Sequence, residues 1–232
     1  MKKKLIYLFL IFIYITSIFL VHYNNSDIDK LVVNFDNEYR IKEMNEQHKY
    51  KIKVYYPISG YKNLNNKIKS LIYDNIIEFK KMTKNDYIQE NMYYDLYINY
   101  DEYMYKNYIS YVFYIETYTG GAHPAHFVHT INYDTDNNRF IVIDDLIKKD
   151  EHILDRLSKI SRDKLLLSGK FNGNGYVMDM FNDGTSPKKD NFKNFTFTNE
   201  GLKIFFDYYQ IAPYYMGMSE IIIPYDKLEL II

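Results

Sequence analysis

The chain has 232 residues, of which 47% are hydrophobic and 25% charged, so it can bury a core and is not disordered. The formal net charge of −1 gives no electrostatic basis for binding nucleic acid, and we predict no nucleic-acid partner. The absence of cysteine excludes disulfides, thiolate metal sites and a cysteine nucleophile.

The first element is a 17-residue run without charge, residues 5–21, that follows three lysines. A helix of this length spans about 25 Å, close to the hydrocarbon thickness of a bilayer. The lysines favour a cytoplasmic start. We therefore expect an N-terminal transmembrane anchor or signal segment at residues 1–22, a single pass through the cell membrane, and the rest of the chain outside. The alternative is secretion after signal cleavage, although the small residues of a cleavage site are poorly placed.

Residues 23–37 are polar and are interpreted as a linker. After them, stretches in which apolar and polar side chains alternate predict half-buried strands. Between these stretches, apolar residues recur at helical spacing from Leu64 to Phe79, which predicts a helix over 64–81 that packs on a sheet. Together these elements form a first α+β domain, residues 38–118. Its predicted strands are 39–44, 50–57, 93–103 and 108–118.

The second half of the chain repeats this arrangement after Gly120 and Gly121 interrupt the strand pattern. A second amphipathic helix is predicted over 150–167, and the polar residues 168–190 are interpreted as a long loop. Short turns between strands favour antiparallel pairing. We therefore predict the α+β class, with a membrane helix followed by two antiparallel-sheet units, each packed by one main helix, and a second domain at 119–232. Its predicted strands are 126–133, 140–143, 192–198, 202–206 and 220–224.

Short motifs carry a family resemblance. Residues 118–124 (Tyr-Thr-Gly-Gly-Ala-His-Pro) and 209–214 (Tyr-Gln-Ile-Ala-Pro-Tyr) resemble the second of two linked domains in RsiV-like anti-sigma factors and PdaC-like peptidoglycan deacetylases. Residues 50–60 and 64–68 resemble the first of those domains. The resemblance covers residues 38–228 and implies an address at the cell envelope and a partner such as a lysozyme-like protein or cell-wall glycan. We expect neither the sigma-binding segment nor the deacetylase domain of those families.

The glycine-containing motif at residues 118–124 is the most specific candidate for a functional site. Gly120 and Gly121 predict a left-handed turn or bulge, held by a hydrogen bond from His123 to the backbone. Turns on rigid sheets often carry function. We predict ligand binding at Tyr118, Gly120, Gly121, His123 and Tyr214.

Histidines and carboxylates offer a rival, catalytic or metal-binding interpretation. On a strand, however, His126 would point away from His123 and His129, and the latter two would lie about 20 Å apart. Nothing in the sequence brings two carboxylates to the separation that glycan cleavage requires. We therefore predict no metal site and no catalytic residue. The carboxylates considered are Glu116, Asp144 and Asp145.

Tyrosines offer a further candidate, a platform for sugar rings or a protein partner, because tyrosine presents a rigid amphipathic face. The competing interpretation is strand propensity in a chain that holds 27 tyrosines. The 168–190 loop is rich in oxygen-bearing side chains but lacks the spacing and terminal Glu of a calcium loop, and no cofactor is predicted. The platform candidates are Tyr111, Tyr114, Tyr118, Tyr208, Tyr209, Tyr214 and Tyr215.

These observations favour a membrane-tethered extracytoplasmic binding or sensing module of the cell envelope, without catalytic activity. It would contact the membrane through residues 5–21 and recognise a lysozyme-like protein or cell-wall glycan. The alternatives are a peptidoglycan-acting hydrolase that uses His123 and a carboxylate, or a structural accessory of a membrane complex.

Overall fold

The computed structural model describes residues 28–35, 38–84, 92–171 and 175–228, with backbone alone for 28–35. Within these ranges the strands are β1 (Ile28–Phe35), β2 (Glu38–Asn45), β3 (Tyr50–Pro57), β4 (Tyr94–Tyr105), β5 (Tyr108–Tyr118), β6 (Ala125–Asp134), β7 (Arg139–Ile141), β8 (Phe195–Thr198), β9 (Gly201–Phe206) and β10 (Ser219–Ile223). The helices are α1 (Lys62–Met82), α2 (Ile143–Lys149), α3 (Ile153–Leu167), α4 (Gly175–Gly184) and α5 (Tyr225–Leu228). Short 3₁₀ turns lie at Lys189–Phe192 and Tyr214–Met216.

Seven strands form one sheet in chain order, β1 to β7, and a second sheet has the order β10-β9-β8. Neighbouring strands are antiparallel except β3 and β4, which run parallel. The prediction of wholly antiparallel sheets is wrong at this pair. The physical reason is α1, which returns the chain to the end of the sheet from which β3 began, as a parallel connection requires.

Helix α1 packs on one face of the large sheet, as its apolar spacing predicts. Its buried residues recur every three or four positions and lie over buried side chains of β3 and β4. Each of these large aliphatic or aromatic side chains contributes about 1.5–3 kcal/mol on burial. The buried residues of α1 are Leu64, Ile68, Ile72, Ile76 and Phe79.

The three-stranded sheet covers the opposite face of the large sheet. Val112 of β5 and Val128 of β6 pack against Phe205 of β9. Alternate residues of β9, including Leu202 and Ile204, point the other way into a second core shared with α2, α3 and α4. The molecule is therefore layered as helix, sheet, sheet and helices.

A buried polar network joins the two sheets. The Asn132 amide donates to the Phe195 carbonyl over 2.9 Å, and its side-chain oxygen accepts from the Ser110 hydroxyl over 2.6 Å. The same hydroxyl accepts from the Phe197 N–H over 3.1 Å. Because Ser110 is 0% and Asn132 3% exposed, these bonds are shielded from water and fix how the sheets pack.

The predicted domain boundary at 118/119 does not coincide with a break in the sheet. Strands β5 and β6 pair along their length, from Tyr108 with Asp134 to Thr117 with Ala125. The two large cores lie on opposite faces of connected layers, not in two separate sheets. Alternating sequence reveals strands but not their partners, so the continuation of the sheet from β5 to β6 carries no local signal, and two domains that meet at 118/119 stay a prediction.

The predictions for the N-terminal region have different outcomes. The membrane segment at residues 1–22, with its apolar run 5–21, lies outside the described residues. Among the residues described, no helix combines the length and apolar character needed to cross a bilayer. The linker predicted at 23–37 is wrong over Ile28–Phe35, which forms β1 and pairs with β2.

Two helices differ from the expectations for the second half. The loop predicted at 168–190 contains α4, which buries Val177 and Phe181 one helical turn apart. The end of the strand predicted at 140–143 begins α2, which buries Ile143 and Leu146. Both helices are short, with only one or two turns of apolar spacing, so periodicity alone gives a weak signal.

Candidate functional site

Five aromatic rings of the described residues gather where β5 ends and β6 begins. His123, in the turn between these strands, stacks on Tyr214 with ring centroids 3.7 Å apart and planes 18° apart. His126 stacks on Tyr208 at 4.7 Å and 21°. The Tyr209 hydroxyl lies 3.4 Å from Nε2 of His123. We call these residues, His123, His126, Tyr208, Tyr209 and Tyr214, the aromatic cluster.

The turn between β5 and β6 positions His123. Gly120 has φ +83°, in the left-handed region that favours glycine, so the predicted left-handed turn is confirmed. The Tyr118 hydroxyl donates to the Gly121 carbonyl over 3.3 Å. Nδ1 of His123 lies 2.8 Å from the Pro124 carbonyl, which can only accept, so Nδ1 carries the proton. In the neutral ring, Nε2 is then free to accept from Tyr209.

The segment that carries the three tyrosines is anchored by Gln210. Its amide donates to the carbonyls of Gly184 (3.1 Å) and Asn191 (3.0 Å), and its oxygen accepts from the Asp207 N–H (3.0 Å). Gly184 ends α4 against this segment: a Cβ there would lie 1.9 Å from the Gln210 carbonyl oxygen. The tyrosines therefore project from a segment that is hydrogen-bonded to α4 and to the 3₁₀ turn at Lys189–Phe192.

Tyr209 itself adopts a strained backbone conformation, with φ +61°. A left-handed conformation costs a bulky residue about 1–2 kcal/mol. The side chain is 55% exposed, so burial does not offset this cost fully. The conformation brings the Tyr209 hydroxyl to His123, and such strain is typical of functional sites.

Asp207 links the cluster to the edge of β6. Its carboxylate accepts from the N–H of Val128 (3.2 Å) and of Tyr208 (2.9 Å), while the Asn194 amide donates to the Val128 carbonyl (2.9 Å). Asp207 and Asn194 thus replace a strand partner where β7 does not pair. Burial raises the pKa of Asp207, although the two backbone amides and the charges of Lys193 and His126 act to lower it.

The structure brings together residues that the sequence predicted from distant motifs. Tyr214 stacks on His123, while Tyr118, Gly120 and Gly121 build the turn beneath it. The sequence argument that separates His126 from His123 is wrong, because β6 starts only at Ala125 and His123 lies in the turn. His129, farther along β6, lies outside the cluster. Within the described ranges, no three His, Asp or Glu side chains converge to hold a metal ion.

The remaining candidates have other contacts. Glu116 lies 3.5 Å from Nδ1 of His126, at the rim of the cluster. Asp144 pairs with Lys189, and Asp145 accepts from the Val142 N–H over 3.0 Å and so caps α2. Of the platform tyrosines, Tyr111 is buried in the core, Tyr114 donates to Asp101, and Tyr215 is exposed.

Several residues of the site carried no recognisable sequence signal, because their partners are distant in the chain. Asp207, Gln210 and Asn194 each bond to an element from another part of the sequence. Tyr208 and Tyr209 were candidates only as members of a large set of tyrosines. The nearest sequence signal is the 209–214 motif, within which Gln210 lies.

Comparison with known proteins first shows the fold. Residues 144–226 match the family model described as "Protein of unknown function (DUF3298)". Crystal structures of DUF3298 family proteins from Pseudomonas aeruginosa PAO1 and Bacteroides fragilis NCTC 9343 have TM-scores of 0.58 and 0.50 to this chain, at 15% and 22% identity. Each comparison covers 87% of this chain, and 92% and 91% of the two structures. The chain therefore has the mixed α+β fold of DUF3298 proteins.

A curated relative then narrows the resemblance. Peptidoglycan-N-acetylmuramic acid deacetylase PdaC of Bacillus subtilis strain 168 is 29% identical over 203 residues, which cover 85% of this chain and 43% of PdaC. The chain thus spans less than half the length of this relative. The predicted resemblance to PdaC-like proteins is confirmed, and the likeness to RsiV-like anti-sigma factors stays a prediction.

Proposed function

We propose that this chain is a non-catalytic binding module of the cell envelope, tethered to the membrane through residues 5–21, and that its aromatic cluster binds cell-wall glycan. The observation that carries the proposal is the stacked, partly exposed set of His and Tyr rings on a fixed base. The likeness to PdaC, whose name states an activity on peptidoglycan, supports the choice of a wall glycan as ligand.

The chemistry of the cluster suits a sugar. Tyr and His rings offer apolar faces to the C–H groups of a pyranose, while their polar atoms can bond hydroxyl and acetamido groups. Preordered side chains lose little conformational entropy on binding, which favours affinity from a small surface. Here the stacking between His123 and Tyr214 and the bonds of Gln210 supply that order.

The contacts of the carboxylates support a binding role over hydrolysis. Cleavage of a glycosidic bond by the usual route needs two carboxyl groups about 5–9.5 Å apart. Of the three carboxylates considered, Glu116 alone lies at the cluster, since Asp144 pairs with Lys189 and Asp145 caps α2. The carboxylate of Asp207, which also reaches the cluster, accepts hydrogen bonds from the N–H groups of Val128 and Tyr208. Glu116 beside His126 is better suited to orient that ring.

The test is co-sedimentation of the full chain, purified in detergent, with peptidoglycan sacculi. We expect the wild type to bind, and Tyr214→Ala or His123→Ala to weaken binding about tenfold or more, since each removes a stacked ring. Tyr176→Ala, which alters an exposed tyrosine on α4, is the matched control and should bind normally.

Unchanged binding by both cluster variants would contradict the proposed site. Release of soluble sugar fragments from the sacculi would instead favour the hydrolase alternative. A parallel arm with immobilised lysozyme separates a glycan partner from a lysozyme-like protein, because retention there without binding to sacculi would replace the glycan.

A further inference from the structure

A second concave surface lies between α1, β6 and the segment after the Lys189–Phe192 turn. This groove has a volume of about 530 Å³. None of the five residues of the aromatic cluster lines it. Its size lies within the range of small-ligand sites, which is about 300–1,000 Å³.

Positive charges from separate elements meet in this groove. Lys67 of α1 and Lys193 line it together with His129 of β6. Desolvation by the surrounding side chains, with the charges of Lys67 and Lys193, lowers the pKa of His129, although the residue remains exposed at the surface. Within the part of the chain that the structure describes, neither lysine forms a hydrogen bond or a close ion pair, although the charge of Lys193 acts on Asp207. The arrangement favours an anionic group in the groove, because an anion would offset the mutual repulsion of these cations.

One carboxylate, that of Asp207, also faces the groove. It already accepts hydrogen bonds from the N–H groups of Val128 and Tyr208. Because Asp207 carries one negative charge and the two lysines carry two positive charges, the groove keeps a net positive charge. Protonation of His129 would add a further positive charge. The other polar side chains of the lining are the uncharged Asn75, Thr130, Asn132 and Asn194.

The rest of the lining is apolar. Leu71 of α1, Phe127 of β6 and Phe140 of β7 face the groove, and Phe127 is 51% exposed. Covering such a ring removes apolar surface from water, which favours a complex. A ligand that fits would therefore combine an anionic end with small apolar groups.

Strand β6 adds a backbone edge to the groove. Strand β7 pairs with β6 only from Asn132 to Asp134, so among the described residues no strand pairs with the preceding part of β6 on that side. The Val128 backbone groups are taken by Asp207 and Asn194, while those of Thr130, two residues farther on, point toward the same side. Backbone groups at an open edge are suited to an extended peptide.

We propose that this groove binds the carboxylate end of a short peptide, with the carboxylate between Lys67, Lys193 and His129 and the apolar side chains on Leu71, Phe127 and Phe140. The peptide stems of peptidoglycan end in carboxylates and carry small alanine side chains. They are the peptides that fit the proposed location of the chain at the cell envelope. The proposal does not depend on glycan binding by the aromatic cluster, and its test uses peptides without sugar, so either can fail alone.

The test is titration calorimetry of the full chain in detergent with N-acetyl-Lys-D-Ala-D-Ala and with the same peptide as its C-terminal amide. We expect the acid to bind and the amide to bind at least about tenfold more weakly, because the amide has lost its charge. Lys67→Met and Lys193→Met should each weaken binding of the acid by about tenfold. Lys62→Met, on α1 but outside the groove, is the control and should leave affinity unchanged.

Affinity for the acid should increase as the pH falls through the pKa of His129, since the protonated ring adds a positive charge beside the carboxylate. His129→Gln should remove this pH dependence. Equal affinity for acid and amide, absence of binding by either, or normal binding by both lysine variants would overturn the proposal. The same peptide with L-alanine in place of D-alanine distinguishes a wall peptide from a protein C-terminus. Weaker binding of the all-L peptide supports a wall peptide. Equal binding overturns that source in favour of protein C-termini at the same carboxylate site.

Discussion

His123 and Tyr214 are separated by most of the second half of the chain, yet their rings stack at 3.7 Å. Each ring is placed by a backbone feature, the left-handed Gly120 on one side and the segment anchored by Gln210 on the other. At the scale of single residues, the site is therefore defined by backbone conformation as much as by side-chain chemistry. Tyr209 and Asp207 allow this to be tested.

Tyr209→Asn should separate stability from binding. Asparagine tolerates a positive φ better than tyrosine, so we expect the free energy of unfolding to stay the same or rise by about 0.5–1 kcal/mol. Sacculus binding should fall, because the ring beside His123 is lost. Urea unfolding and co-sedimentation measure the two effects, and Tyr215→Asn, which alters an 80% exposed ring, should change neither. A clear loss of stability in Tyr209→Asn would show that the Tyr209 backbone is not strained.

Asp207 should make stability depend on pH. Its folded-state pKa is raised by burial above the ordinary value of about 3.9, so the folded state holds the proton more tightly than the unfolded state. The free energy of unfolding should therefore fall as pH rises from about 3.9 through the raised pKa. Asp207→Asn should remove this part of the slope in urea titrations at several pH values, and Asp179→Asn, on the exposed side of α4, should keep it. An unchanged slope in Asp207→Asn would contradict the assignment.

At the scale of secondary-structure elements, the polar groups of Asn132 and Ser110 decide how the two sheets meet. The apolar contact of Val112, Val128 and Phe205 has no direction by itself, whereas the hydrogen bonds to the backbone of β8 are made in one alignment only. Side chains also satisfy the edge of β6, because Asp207 accepts from the Val128 N–H and Asn194 donates to the Val128 carbonyl in place of a neighbouring strand. These side chains connect elements that periodicity alone leaves unrelated.

Asn132→Ala should destabilise the fold by about 3 kcal/mol. The substitution leaves the Phe195 carbonyl and the Ser110 hydroxyl buried without this partner, at about 1–3 kcal/mol for each unsatisfied group. Chemical denaturation measures the loss, and Asn99→Ala, at an exposed position of β4, serves as the control with a change below about 0.5 kcal/mol. A loss for Asn132→Ala no larger than that of the control would mean that water replaces the missing bonds.

At the scale of the whole molecule, one large sheet carries a core on each face. α1 covers one face, and the three-stranded sheet with its helices covers the other. The layers depend on one another, because β5 contributes Phe113 to the first core and Tyr108 to the second. The chain should consequently unfold as a unit over these layers.

A fragment of residues 28–118 should not fold alone. It lacks β6, the ladder partner of β5, and it exposes Tyr108 and Val112, which the second sheet buries in the intact chain. Two-dimensional NMR of this fragment should show poor dispersion, whereas residues 28–228 should give a dispersed spectrum. A dispersed spectrum from the short fragment would support the domain boundary predicted at 118/119.

The proposed membrane tether is tested by a topology reporter. Alkaline phosphatase fused after residue 30 should be active, because the uncharged run 5–21 behind three lysines directs the C-terminal part of the chain out of the cytoplasm. Deletion of that run should abolish the activity, and a β-galactosidase fusion at the same residue is the control that should be inactive. Active β-galactosidase with inactive phosphatase would place the module inside the cell.

The local sequence determined the elements in which apolar residues repeat at a regular spacing over several turns or residue pairs. Leu64 to Phe79 marks α1, and alternation marks β3 to β6, because side-chain direction repeats every 3.6 or 2 residues and depends only on near neighbours. The short motif around Gly120 also determined its left-handed turn, since few residues other than glycine adopt that conformation readily.

Only the tertiary structure decided which of these elements meet. The parallel pairing of β3 with β4, the continuation of the sheet from β5 to β6 and the stacking of Tyr214 on His123 all join residues distant in the chain. Such contacts depend on packing and on hydrogen-bond partners that no local pattern specifies, as α4 and the bonds of Gln210 also show. The physical reason is that the spacing of apolar residues shows which face of an element is apolar. The element that packs against that face is selected by the shape and polarity of the whole chain.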